Sequence, residues 1–242
     1  MATEALFRDD AYLAEATATV VAVNERGGVV LDRTIFYPTG GGQPGDSGLI
    51  VPADGAPLTI ATTVKGEAPG EIVHVPAPDQ PLPAVGTPVT LRLDWGRRYR
   101  HMRMHSCMHL LSALLPYPVT GGQIAADKGR LDFDMDGAAP DREALTEKLL
   151  ALIAADDPVT TEWITDEGLA ARPELVKTMA VKPPTGTGRV RLVRIEGRDL
   201  QPCGGTHVRR TGEIGQVAVL KIESKGRQNR RVSVGFVEET PE

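Results

Sequence analysis

Two short pairs hold the residues best suited to chemistry. One lies in His105-Ser106-Cys107-Met108-His109, the other in Cys203-Gly204-Gly205-Thr206-His207. In each, the outer residues are four positions apart. Together they take three of the chain's five histidines and one of its two cysteines. Imidazole and thiolate are the donors a borderline-soft divalent ion such as zinc prefers. Each pair alone has a plain explanation: two histidines at the polar edge of a helix, and a common Cys-Gly-Gly turn. Two compact pairs from distant segments point instead to a fold that brings them together. The expectation is one zinc ion per chain, held by His105, His109, Cys203 and His207.

The elements that must position these residues can be read locally. Met104, Met108, Leu111 and Leu115 recur at helical spacing, which predicts a helix over 100–115 with a buried stripe. Residues i and i+4 share a face, so both imidazoles can point at one ion. Pro116 and Pro118 end that helix. Cys203 follows Pro202 and precedes two glycines, which predicts a tight turn that brings His207 back towards Cys203. Upstream, short β-branched or alternating runs at 17–23, 28–31, 58–64, 72–75 and 89–93 are separated by Gly and Pro clusters, the pattern of a small β-barrel. Downstream, a helix is expected at 142–155 with Asp141 as N-cap. Strands are expected at 159–164, 189–195, 216–222 and 231–237, the last two as a hairpin across 224–229. The segment 182–188 reads as a Pro/Gly/Thr loop. The whole is α+β, with a barrel domain at 1–94 and a mixed α/β-sheet, zinc-containing domain at 95–242.

Four segments, in order, resemble one family. Residues 94–111, Asp94-Trp95-Gly96-Arg97-Arg98-Tyr99-Arg100 through both histidines to Leu111, resemble the editing domain of alanyl-tRNA synthetases. They are closer still to the free-standing AlaX proteins. Phe36-Tyr37-Pro38-Thr39-Gly40-Gly41-Gly42-Gln43-Pro44-Gly45-Asp46-Ser47-Gly48 resembles the glycine-rich motif of the longer AlaX forms. Gly129-Arg130-Leu131-Asp132-Phe133-Asp134 resembles the strand after the first ligand pair, and Cys203 to His207 the Cys-x-x-x-His end of the site. The likeness runs from about residue 15 to about residue 237. One departure is Cys107, where the family has Ala or Thr. Beside the Met104 stripe it reads as a packing thiol.

The resemblance implies a hydrolase that removes a wrong amino acid, chiefly serine, from tRNA specific for alanine by cleaving the aminoacyl ester. No ATP-binding signature is present, so amino acids would be removed and not attached. The resemblance also implies that Thr39, Gly40, Gly41 and Gly42 form a substrate loop that helps to tell serine from alanine. Gln43 and Gln123 are the candidate catalytic residues. Each ends a Gly-Gly-Gln triplet, where glycine allows close backbone approach and the amide supplies a donor and an acceptor. The plain alternative for both is a turn with an exposed Gln. The role of zinc stays open. Four protein ligands make the closed set usual for a structural site, whereas a water-activating ion keeps a position free. Either one ligand binds loosely, or zinc orders the pocket; the second is favoured.

Composition bounds the partners. The 242 residues are 41% hydrophobic, enough for real cores, and 4% aromatic, too few for a broad base-stacking surface. Two cysteines argue against a disulfide framework and for a reducing cytosol. No long apolar run and no signal-peptide pattern is seen, so neither export nor membrane insertion is expected. The net charge of −5 is unevenly spread. Trp95 to Ala126 has no acidic residue, and Arg97, Arg98, Arg100 and Arg103 cluster before the His pair. Arg227, Arg230 and Arg231 form a second group, with Lys221 and Lys225 nearby. Arg209 and Arg210 follow His207. These arginines are the candidate RNA contacts, since phosphates need local positive potential. His101 reads as a surface or RNA-contact residue. The partner would be mischarged tRNA for alanine, not DNA and not a membrane. Two rivals remain: a non-catalytic zinc module that binds tRNA acceptor stems, and a metal-dependent nuclease. The nuclease would want carboxylates for magnesium, and none is expected close in sequence to either ligand pair.

Overall fold

The computed structural model describes residues 2–178, 188–226 and 228–237. Arg227 and the expected loop at 182–188, Gly188 apart, lie outside the described residues. The chain divides into two compact units, Met1–Arg100 and His101–Glu242.

In the first unit a short parallel pair joins β1 (Glu4–Ala5) to β4 (Arg33–Thr34). Six antiparallel strands close a barrel in the order β2 (Glu15–Val23), β3 (Val29–Leu31), β7 (Ile72–Pro76), β6 (Leu58–Lys65), β5 (Gly48–Pro52) and β8 (Pro88–Leu93). The alternation that predicted these strands fills the interior. Leu58 and Ile60 are buried while Thr59 and Ala61 are exposed. With Val20, Leu31, Ile35, Phe36, Ile50 and Leu91 they form one apolar core. The sequence reading missed β5, a short apolar run that ends on proline. It pairs with both β6 and β8 and so closes the barrel.

A long helix, α1 (Trp95–Leu114), leads into the second unit. It starts five residues before the expected position because Asp94 caps it, its Oδ1 accepting from Arg97 N at 3.2 Å. The predicted stripe holds: Met104, Met108, Leu111 and Leu115 are all buried. The helix is followed by β9 (Val119–Ile124), β10 (Lys128–Asp134), α2 (Arg142–Ala154), β11 (Val159–Thr165), α3 (Asp166–Ala170), β12 (Arg189–Ile195), β13 (Asp199–Pro202), β14 (Val217–Ser224) and β15 (Asn229–Phe236). Asp141 caps α2 as expected, Oδ1 accepting from Ala144 N at 2.8 Å. Two antiparallel sheets result, β14-β15-β10-β9 and β11-β12-β13. The first lies close against α1. A Cβ on Gly129 of β10 would come within 3.0 Å of Met104 and 2.9 Å of Met108, so a larger residue there would have to push these methionine side chains aside. Among the described residues, no helix is long and apolar enough to cross a membrane.

Candidate metal centre

Four side chains converge in the second unit. His105 and His109 lie one turn apart on α1, and Cys203 and His207 come from the turn after β13. One donor atom from each lies within 4.8 Å of every other. Cys203 Sγ is 3.3 Å from His207 Nε2 and 3.5 Å from His105 Nε2. Those lengths match the sulfur–nitrogen edge of a tetrahedron around zinc, about 3.5 Å from the usual bond lengths. The donor set and its spacing therefore fit a divalent metal ion.

The rings are held from behind. His109 Nδ1 is 2.9 Å from Asp199 Oδ2, and His207 Nδ1 is 3.1 Å from Ser106 Oγ. These bonds leave each Nε2 facing the site, as ligating histidines usually require. Asp199 is itself fixed. Lys177 Nζ reaches its Oδ1 at 2.6 Å, and Gln201 Nε2 reaches its Oδ2 at 2.8 Å. Arg191 holds the ligand turn, its Nη1 donating to Cys203 O at 2.9 Å and Gly205 O at 3.0 Å.

Electrostatics favour the ligating thiolate of Cys203 and a neutral His207, whereas at His109 the burial that would lower its pKa is outweighed by Asp199 and Cys203, which hold it up at about 9. Burial opposes charge on Cys203, but the neighbouring His105 and His207 outweigh it and hold the thiol well below its ordinary range. Burial likewise opposes charge on Asp199, yet His109 and Lys177 bring its carboxyl down to about 2. Cys107 differs. Burial alone pushes its thiol up to about 12, so it is the inert packing residue the sequence suggested.

Asp199, Gln201, Lys177, Ser106 and Arg191 were not picked out from the sequence. One signal was there to find. Asp199, Gln201 and Cys203 alternate, and a strand puts such residues on one face.

Several expected site residues lie elsewhere. Gln123 is exposed and sits in β9, not in a turn. It pairs with Arg130, while its neighbour Ile124 pairs with Gly129, the residue pressed against α1. Strand alternation therefore points Gln123 off the sheet face opposite α1, away from the ligands. Gln43 is buried in the first unit, only 1% exposed. Gly40 N donates to Gln43 O and Gln43 N to Gly40 O, both at 3.0 Å. Gly41 and Gly42, at φ 57° and 82°, fill the two left-handed positions of this turn. That is the type I′ arrangement, so the turn itself accounts for both glycines. Thr39 closes the loop's base, its Oγ1 accepting from Gly45 N at 2.9 Å.

The arginine cluster is also corrected. Arg98 is fully buried. Its Nε bonds Asp46 at 3.0 and 3.1 Å, and its Nη1 and Nη2 reach Ala11 O at 2.9 Å and Ile35 O at 2.7 Å. It is a structural ion pair and cannot touch phosphate. His101 is buried, against its expected surface place. Arg97 reaches Gly45 O at 2.7 Å. Arg103 donates to Ile214 O at 2.7 and 2.9 Å and lies 4.3 Å from the centre of the Phe236 ring. Arg231 grips Asp132 through bonds of 2.7 and 2.8 Å, whereas Arg230 stays near Ser224 and Gly226. Arg100 is half-buried.

Comparison with known proteins sharpens the picture. The family described as threonyl and alanyl tRNA synthetase second additional domain matches residues 190–233. The family described as tRNA synthetases class II (A) matches residues 4–97. The chain is 36% identical to the alanyl-tRNA editing protein AlaX-M of Methanosarcina mazei, over 98% of both chains. It is 35% identical to AlaX-M of Saccharolobus solfataricus, over 95% of this chain and 97% of that one. It is also 36% identical to the alanine–tRNA ligase of Archaeoglobus fulgidus, but over only 24% of that longer chain.

Proposed function

The chain belongs to the AlaX-M type of alanyl-tRNA editing proteins, a family of aminoacyl-tRNA deacylases, and on that premise we propose that it hydrolyses seryl-tRNA for alanine. Water attacks the ester carbonyl, and the bond between acyl carbon and ribose oxygen breaks. The ribose oxygen takes a proton, and free serine and intact deacylated tRNA leave. The observation that carries the reading is the four-residue centre of His105, His109, Cys203 and His207, built on the segments that match the family.

We assign zinc to that centre, one per chain. A thiolate with three imidazoles suits it, and the spacing of Cys203 Sγ from the His105 and His207 nitrogens supports it. When bound, zinc supplies a Lewis acid that orders the pocket. All four side chains present a donor at mutual ligand distance, which favours a closed set over a vacant position. The protein's part is to hold the rings. Asp199 and Ser106 fix which nitrogen of His109 and His207 faces the site, and Arg191 fixes the Cys203 turn. The reaction needs no ATP and suits the cytosol, where aminoacyl-tRNA is made and used.

Two finer assignments belong to the same reading. The loop of Thr39, Gly40, Gly41 and Gly42 favours serine over alanine. Arg97, Arg100, Arg103 and Arg230 add positive potential for the tRNA backbone. For the loop, Gln43→Ala should change the ratio of seryl to alanyl hydrolysis rates; an unmoved ratio makes the loop only a turn.

The activity is tested by incubating the protein with seryl-tRNA for alanine while following free serine and RNA length. Serine release with full-length RNA supports editing. Shortened RNA would indicate a nuclease, and tight binding without release a non-catalytic tRNA-binding module.

A further inference from the structure

Trp163, Arg191 and Cys203 stand in one row across the three-stranded sheet. Trp163 is the cross-strand partner of Arg191. Cys203 N donates to Arg191 O at 3.1 Å, which carries the β13 register into the ligand turn. Directly opposed residues of antiparallel strands project to the same face. Two strand spacings put Trp163 about 10 Å from Cys203, and Arg191 fills the gap. The other face is closed by Leu169, Leu175, Val190 and Leu192. Trp163 therefore stands on the side that carries the metal centre.

Its surroundings there suit one ligand chemistry. Trp163 is 44% exposed, unusual for so large an apolar ring. The Arg189 guanidinium lies 4.4 Å from the centre of the ring. Arg189 and Arg191 flank it on this face. The carboxylate nearest in sequence, Glu162, falls on the other face and is held by Arg194 at 3.0 Å, while Asp166 accepts from Gly188 N, beside Arg189, at 3.1 Å. An indole offers a flat π surface to any base, and an adjacent guanidinium offers charge to a phosphate. The span from the ligand turn to the indole is one that a single nucleotide covers.

We propose that Trp163, with Arg189, is the stacking platform for the base of the esterified terminal nucleoside of the tRNA. The inference rests on the hydrolase reading above and names the residue that holds the leaving group. One indole is enough, which agrees with a chain too poor in aromatic residues for a broad stacking surface.

Deacylation kinetics test it. Stacking on an aromatic residue contributes enough that its loss weakens binding about tenfold. Trp163→Ala should therefore raise KM for seryl-tRNA about tenfold, leave kcat within about twofold and leave zinc content unchanged. Trp163→Phe, which keeps a ring, should restore most of the loss. An unchanged KM in Trp163→Ala overturns the platform. If the wild-type protein releases no serine at all, the hydrolase reading fails instead. A binding measurement then decides the platform independently. In a Trp95→Phe background, Trp163 is the one remaining tryptophan of the two. Titration with the trinucleotide CCA should quench its fluorescence, and an unaltered signal overturns the proposal.

Discussion

At the scale of single residues, the metal ligands are distinct from the groups that aim them. Cys203 is the strongest single donor of the four, so Cys203→Ala should lose most of the bound zinc by elemental analysis while keeping its secondary structure. Asp199 touches no metal but bonds His109 Nδ1 at 2.9 Å. Removing such a partner typically weakens metal binding ten- to a hundredfold. Asp199→Asn should show that loss in competition with a chelator; wild-type affinity would mean that the carboxylate does not aim the ring. Arg98 belongs to a different class. Both it and Asp46 are essentially inaccessible, and deleting one partner of such a pair leaves a buried charge, at a cost of about 3–5 kcal/mol. Arg98→Ala should thus lower the urea midpoint of unfolding sharply, with zinc still bound at low denaturant. The ligands were legible because their types and i,i+4 spacing are local. Arg98 was not, because its partners Asp46, Ala11 and Ile35 are distant in sequence. A linear reading sees an arginine run and infers a basic surface, but cannot see which members turn inward.

At the scale of elements, periodicity carried most of the prediction. The barrel strands alternate and α1 keeps its stripe, so their positions follow from which side must be dry. Where the pattern was weak, the reading failed. β5 is short and Pro-ended, β13 spans only Asp199–Pro202, and β9 hides in a Gly-Gly-Gln triplet that reads as a turn. Pairing partners, not local propensity, make these strands. The barrel also contains a titratable element. His74 on β7 is fully buried, Nδ1 donating to Val29 O at 2.9 Å and Nε2 accepting from Thr34 Oγ1 at 2.8 Å. Burial drives its pKa down to about 4, only partly offset by the Val29 bond. The folded value lies below the ordinary 6.5, so the fold prefers neutral His74. That contribution is whole above about pH 6.5 and is lost as pH falls towards 4, with a slope approaching about 1.4 kcal/mol per pH unit. Unfolding midpoints taken between pH 7 and pH 4 should fall accordingly, and His74→Asn should remove this part of the slope. An identical slope in the variant would place the acid sensitivity elsewhere.

At the scale of the whole molecule, two units share one chain, each with its own interior. The net charge of −5 opposes a polyanionic substrate overall, and internal pairing takes up part of the basic charge. Several basic side chains are paired within the fold, among them Arg210 with Asp156, Arg231 with Asp132, and Lys221 and Lys225 with Glu223. The order of motifs along the sequence made the family legible, because each motif marks a backbone requirement or a ligand. The bracing of those ligands was not legible, since it runs through Asp199, Lys177 and Arg191, whose roles exist only once the strands are paired. The claim on which the rest depends is that the zinc-bearing chain cleaves an ester and leaves the RNA whole. It is tested most directly by a time course of serine release from seryl-tRNA for alanine, run with the zinc-loaded wild-type protein and with Cys203→Ala, with RNA length followed in the same samples. The account predicts free serine from the wild-type protein, little from the variant, and full-length tRNA throughout. A wild-type protein that binds zinc and tRNA but releases no more serine than the uncatalysed control, or that shortens the RNA, would contradict it.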